Sequence, residues 1–177
     1  MKCKNLILIT GMSCVGKTPI AVRLSERYGF YIIHTDLLYH PLDREKYKGV
    51  VGDDSIEKRG FIRKHKKLMT ETTIIEGSHI GNTRELEIFL RELDFNGEVY
   101  KFKVETPNHK TYFRKKHKVE VEKKWEEIKK WWDSIYDWDN AIIVENCEDI
   151  VNFLGIKNGY ICLSGQSQYP RKEVKGF

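Results

Sequence analysis

Apolar residues fall along the chain in short blocks that switch between two periodicities. Leu6-Ile7-Leu8-Ile9 is an uninterrupted apolar run, the pattern of a strand buried on both faces. Ile20, Ala21 and Leu24 then recur at helical spacing, predicting a helix over about 17–28 that closes at Gly29. Phe30-Tyr31-Ile32-Ile33, Thr72-Thr73-Ile74-Ile75, Glu98 to Val104 and Ala141-Ile142-Ile143-Val144 read as further strands. Between them, helices are predicted over about 55–71, 82–93, 109–137 and 148–154. The 55–71 helix offers Phe61, Ile62, His65, Leu68 and Met69 as an apolar face. In the 109–137 helix, Val121, Trp125, Ile128, Trp132 and Ile135 follow one stripe. That stripe assigns Trp125 and Trp132 to the core and leaves Trp131 and Trp138 as exposed aromatics. Strands alternating with helices predict an α/β architecture, about five parallel strands covered by helices on both faces.

Composition narrows this picture. A chain of 177 residues, 40% hydrophobic and 32% charged, suits one globular domain with a sizeable core. We place that domain at 1–156 and a polar tail at 157–177, in which Tyr160 to Leu163 offers an edge strand. No apolar run approaches the roughly 20 residues of a membrane span, and the N-terminus enters the first strand without a secretion signal. Cysteines at 3, 14, 147 and 162 show no C-x-x-C spacing, so a reducing, cytoplasmic setting is expected. The net charge of +5 permits a nucleic-acid partner without demanding one.

One stretch carries specific chemistry. Gly11-Met12-Ser13-Cys14-Val15-Gly16-Lys17-Thr18 reads G-x-x-x-x-G-K-[ST], the Walker A phosphate loop, placed as that motif requires between a buried strand and a helix. Backbone N–H groups and the helix N-terminus there cradle phosphates, Lys17 reaches the β- and γ-phosphates, and Thr18 ligates Mg²⁺. A nucleoside triphosphate, expected to be ATP with Mg²⁺, follows. Cys14 either has its thiol acidified by the helix end or fills a tolerant loop position.

The other candidates sit at strand ends, where open α/β sheets bind ligands. Asp36, just past the second strand, is a candidate general base or metal-ordering carboxylate, or else the N-cap of a short helix. The irregular segment from Leu37 to Asp54 is expected to face substrate. Arg59 and Arg63 either grip a substrate phosphate or carboxylate or belong to a solvated basic face. Glu76 stands in the Walker B position, a methylene longer than the usual Asp, so contact with the metal through water is expected. Ser78 and His79 follow in a loop, with His79 as a substrate contact or an ordinary loop histidine. Leu163-Ser164-Gly165-Gln166 and Asp94-Phe95-Asn96-Gly97 imitate ABC-ATPase and GTPase motifs but stand in the wrong places for either.

Over about residues 5–155 the chain resembles the small P-loop kinases: nucleoside monophosphate, gluconate and shikimate kinases, chloramphenicol phosphotransferase and polynucleotide kinase. Asp36-Leu37-Leu38-Tyr39-His40-Pro41 is similar to the substrate segment of gluconate kinases, and Tyr39 stands where adenylate kinases carry a phosphate-gripping Arg, which counts against a monophosphate acceptor unless Arg44, Arg59 or Arg63 substitutes. The resemblance implies a three-layer P-loop NTPase fold and a general-base role for Asp36. It further implies a short lid at about 108–118, in which Arg114, ahead of Lys115 and Lys116, meets the transferring phosphate. It also brings adenine against Asn146 to Asp149. The implied activity is transfer of the γ-phosphate of ATP to a hydroxyl on a nucleoside, a nucleic acid (5′ end or modified base) or a small sugar-like molecule, by a monomer or homodimer. A nucleoside monophosphate kinase and a nucleotide-dependent regulatory ATPase are the alternatives.

Overall fold

The computed structural model describes residues 3–39, 51–116 and 121–162. Most of the 37–54 segment, the end of the expected lid at 117–118 and the 163–166 tetrapeptide therefore lie outside the described residues.

Five strands form one parallel sheet: β1 (Asn5–Thr10), β2 (Tyr31–His34), β3 (Thr72–Glu76), β4 (Glu98–Val104) and β5 (Ile142–Val144), in the order β2-β3-β1-β4-β5. The central β1 pairs on both sides, with β3 and β4. Its apolar run has no polar face because both faces are covered. Ile7 and Ile9 enter one core with Ile20 and Leu24 of α1 (Lys17–Tyr28) and Ile150 and Leu154 of α6 (Cys147–Leu154). Leu6 and Leu8 enter the opposite core with Ile62 of α2 (Ile56–Lys66) and Leu86, Phe89 and Leu93 of α3 (Thr83–Leu93). Each such fully buried side chain stabilises the fold by roughly 1.5–3 kcal/mol. Side chains at the strand ends are the ones left free for chemistry.

Caps set the helix limits. Ser55 Oγ accepts from Lys58 N–H at the start of α2, and Asn82 does the same for Glu85 N–H in α3. At α6, Asn146 and Asp149 form a reciprocal capping box. Among the described residues no helix is long and apolar enough to cross a membrane.

Four expectations need correction. The helix predicted to run to residue 71 ends at Lys66, where Leu68 N–H turns back to the His65 carbonyl; Leu68 is left 54% exposed. The long helix predicted over 109–137 is two helices, α4 (His109–Lys116) and α5 (Val121–Ile135). Trp138 lies beyond the end of α5, so helical spacing no longer governs it. It folds into the α2–α3 core, 5% exposed, with Lys101 Nζ 5.4 Å from its ring centroid. Tyr160–Ile161 (β7) does not extend the main sheet; it pairs antiparallel with Ile156–Lys157 (β6) as a separate two-stranded sheet.

Candidate active site

The strand order reverses at β1, between β3 and β4, and the loop after β1 opens there, the crevice position of open α/β sheets. This loop is Gly11–Gly16. Gly11 has φ +152°, and a Cβ on it would lie 2.8 Å from the Val104 carbonyl and from Val15, so glycine is required. Met12 is buried behind the loop, and its carbonyl accepts the Lys17 ammonium at 3.1 Å. Lys17 is 6% exposed and makes no ion pair among the described residues. Burial pushes its pKa down, opposed by the nearby Asp36 and Glu76 carboxylates.

A cleft of about 610 Å³ opens over this loop. Ser13 to Thr18 floor it, Asp36 stands at one side, Tyr112 and Lys116 of α4 face it, and Glu145 to Cys147 close the far end. Of the stretch expected against adenine, Asn146 and Cys147 line the cleft and Glu148 and Asp149 do not. Arg114 does not line the cleft. Tyr112 and Lys116 are four apart and share the open face of α4, whereas the flank beside it carries the fully buried Phe113. Arg23 of α1 also reaches the cleft.

Glu76, 2% exposed, lies beneath the loop, with its carboxylate oxygens 3.3 and 3.4 Å from the Thr18 hydroxyl. The parallel register sets His34 beside Glu76, and the His34 Nδ1–H donates to Glu76 Oε1 at 2.5 Å. This hydrogen bond raises the His34 pKa, against partial burial. Sequence reasoning gave His34 no role. The available signal was that both residues end a strand, but adjacency of those strands is not written in either segment.

Asp36 lies inside a 3-10 turn, Thr35–Tyr39, and among the described residues its carboxylate does not cap that turn. Oδ1 accepts instead from Ser78 N–H at 3.0 Å and lies 3.4 Å from His79 Nδ1. Gly77 makes room: it has φ +152°, and a Cβ there would collide with Thr35 Oγ1 and lie 2.7 Å from Asp36 Oδ1. Burial pushes the Asp36 pKa up, but His79, Lys17 and the Ser78 amide outweigh it and hold the carboxyl below 3.8. About half of its side chain (49%) stays open. Two loops are stitched together here. Thr10 Oγ1 donates to the Gly77 carbonyl, and Ser78 Oγ donates to the Gly11 carbonyl, both at 3.0 Å.

Arg59 and Arg63 are elsewhere. Arg59 lies 3.7 Å from Asp54, Arg63 pairs with Glu92 at 2.9 Å, and neither lines the cleft. A second residue missed in the sequence is His109. Its Nε2–H donates to the Ser13 carbonyl at 2.6 Å, and its ring packs on Trp125, centroids 4.7 Å apart. Burial lowers its pKa and the Lys17 charge adds to that, against the Ser13 hydrogen bond, which raises it; the ring ties the start of α4 to the phosphate loop.

No protein-family model matches the chain, and no curated protein matches its sequence. Solved structures share the fold. The APS kinase CysC of Mycobacterium tuberculosis, in complex with AMPPNP and APS, is 13% identical (TM-score 0.55, 88% of this chain and 100% of that one). The YorR protein of Bacillus subtilis, in complex with phosphorylated GDP, is 14% identical (TM-score 0.53, 85% and 95%). A sugar kinase from a Janibacter species is 14% identical (TM-score 0.52, 88% and 96%). This chain therefore has the three-layer α/β fold of the small P-loop kinases.

Proposed function

We propose that this protein is an ATP-dependent kinase acting on a hydroxyl acceptor, a nucleoside, a nucleic acid or a small sugar-like molecule. One observation carries the reading: a carboxylate held ionised and half-open, Asp36, stands at the side of the cleft floored by the phosphate loop. A protein that only binds nucleotide has no need of a base at that place.

The residues fit a nucleotide–Mg²⁺ complex. A buried ammonium that donates to a main-chain carbonyl, Lys17, suits a phosphate oxygen, and a hydroxyl turned toward a buried carboxylate, Thr18 with Glu76, suits a hard cation. Bound Mg²⁺ would neutralise charge on the phosphates. Thr18 would hold it, and Glu76 would act at its edge, through water. His34, by its hydrogen bond, fixes the Glu76 carboxylate. Gly11 to Gly16 would bind the phosphates, with Lys17 on the β- and γ-groups. As the acceptor oxygen bonds to the γ-phosphorus, the bond from that phosphorus to the β-bridging oxygen breaks, and ADP leaves with the electron pair. The acceptor proton goes to Asp36. Lys116, rather than Arg114, would bring the lid's charge over the cleft, because only the former faces it. Catalysis here is positioning and charge stabilisation.

A monophosphate kinase would need arginines to grip the acceptor phosphate. Among the described residues, Arg59 and Arg63 lie beside carboxylates, which favours a hydroxyl acceptor without such a phosphate; Arg44 lies outside the described residues. The test follows labelled γ-phosphate from ATP·Mg²⁺ into nucleosides, nucleoside monophosphates, sugar acids, 5′-hydroxyl oligonucleotides and hydroxymethylated DNA. One acceptor class should take up label, and Asp36→Asn should slow transfer by roughly two to four orders of magnitude with ATP affinity nearly intact. Label released only as free phosphate would favour a regulatory ATPase, and near-wild-type transfer by Asp36→Asn would remove the general base.

A further inference from the structure

Asp36 belongs to two neighbourhoods. One is the nucleotide cleft, which it lines. The other begins at His79, whose Nδ1 is 3.4 Å from Asp36 Oδ1 and which does not line that cleft. Beyond His79 comes Trp131 of α5, its ring edge-on to the imidazole, with centroids 5.2 Å apart and planes at 65°. Trp131 is 37% exposed, while Trp132, its neighbour in sequence, is buried in the core and stacked on Tyr136. An indole held by an imidazole, one side chain away from an open carboxylate, is a rigid apolar surface beside a proton acceptor.

We propose that Trp131 and His79 form the acceptor wall, with Trp131 stacking on the ring of a cyclic, hydroxyl-bearing acceptor. This inference rests on the reading of Asp36 as the base that meets the acceptor. In-line transfer brings the attacking hydroxyl to the γ-phosphorus from the side opposite the leaving group. The acceptor therefore approaches Asp36 from the side the nucleotide does not fill, and among the described residues His79 is the side chain that meets the Asp36 carboxylate outside the cleft. A ring seated on Trp131 would extend toward Asp36 past His79. His79 is a positioning residue that holds the carboxylate, and Trp131 is a specificity residue that touches the acceptor. The shared chemistry is a flat ring face, presented by a nucleobase through its π surface or by a sugar through its C–H groups.

The experiment labels the four tryptophans with 5-fluorotryptophan and assigns the Trp131 ¹⁹F resonance by its disappearance in Trp131→Phe. The AMPPNP-bound protein is then titrated with adenosine, thymidine, D-glucose and D-ribose. The Trp131 resonance should move with one class, nucleosides or sugars, and that choice names the source of the ring. Trp131→Ala should weaken the same ligand about 10-fold or more, Trp131→Phe less, with AMPPNP affinity unchanged in both. A Trp131 resonance indifferent to all four probes, or unchanged acceptor affinity in Trp131→Ala, overturns the proposal. This readout is separate from phosphate transfer. A moving Trp131 signal in a protein that releases only free phosphate would keep the wall and remove the kinase. A phosphorylated acceptor whose KM is the same in Trp131→Ala would do the reverse.

Discussion

Helices α2 and α4 are both strongly basic, and the structure uses them in opposite ways. On α2, Arg59 and Arg63 lie beside Asp54 and Glu92, and Lys66 is 3.9 Å from Asp94. Lys58 goes further, buried at 2.6 Å from Glu85, which also accepts Gly52 N–H at 2.8 Å. On α4, Tyr112 and Lys116 turn to the cleft, while His109 and Phe113 pack on Trp125 behind them. One helix spends its charge on the fold, and the other offers charge to a ligand. What separates them is the company of acids: α3 and the Asp54 turn run alongside α2. A count of lysines and arginines is blind to this.

That contrast can be broken at its strongest point first. Glu85→Ala removes the carboxylate beside a buried lysine and should destabilise the protein by about 3–5 kcal/mol, read by urea denaturation. A loss below about 1 kcal/mol would show that the pair does not hold α2 to α3. Lys116→Ala should do the opposite, lowering phosphate transfer about 10-fold or more at unchanged Tm. Equal losses in Arg114→Ala would return the lid role to Arg114. Arg63→Ala removes an exposed guanidinium from a Glu92 that keeps Arg91 as a partner at 3.3 Å, and should cost about 1 kcal/mol and leave transfer unchanged. Falling transfer there would bring α2 back into the site.

The smallest effect is a pH slope. Burial sets the folded pKa of His109 below 6.5, so the unfolded chain takes up this proton first as pH falls. The contribution of His109 is therefore complete above pH 6.5 and is lost progressively below it. The stability difference between wild type and His109→Gln should shrink or change sign on acidification. A difference constant with pH would mean that the ring is not a buried neutral donor.

How far the sequence carried the reading differs between strand cores and strand partners. A block such as Leu6–Ile9 declares itself because a strand buried on both faces is apolar throughout, Thr72–Ile75 by its β-branched residues, and Gly11 to Thr18 is a contiguous motif. Glu76 was legible as the first polar residue after such a block, and Asp36 as the first carboxylate after the Phe30–Ile33 block. His34 against Glu76, Arg63 against Glu92 and His109 against Ser13 join residues far apart in the chain, and each depends on strand order or helix packing. Trp138 was misplaced for a local reason. Helical spacing was extended past Ile135, where the chain has left the helix and Asp137 N–H bonds to the Gly81 carbonyl.

The stitching of the two loops has a thermodynamic consequence. Thr10 and Ser78 tie the phosphate loop to Gly77 and Ser78, and the Ser78 amide in turn holds Asp36. Under the proposed function, the donor and acceptor subsites are therefore joined through these hydrogen bonds. Ordering one by a ligand would leave less to be ordered by the other, so the two ligands are expected to bind with positive coupling. Linkage makes that coupling reciprocal: the factor by which nucleotide tightens acceptor binding is the factor by which acceptor tightens nucleotide.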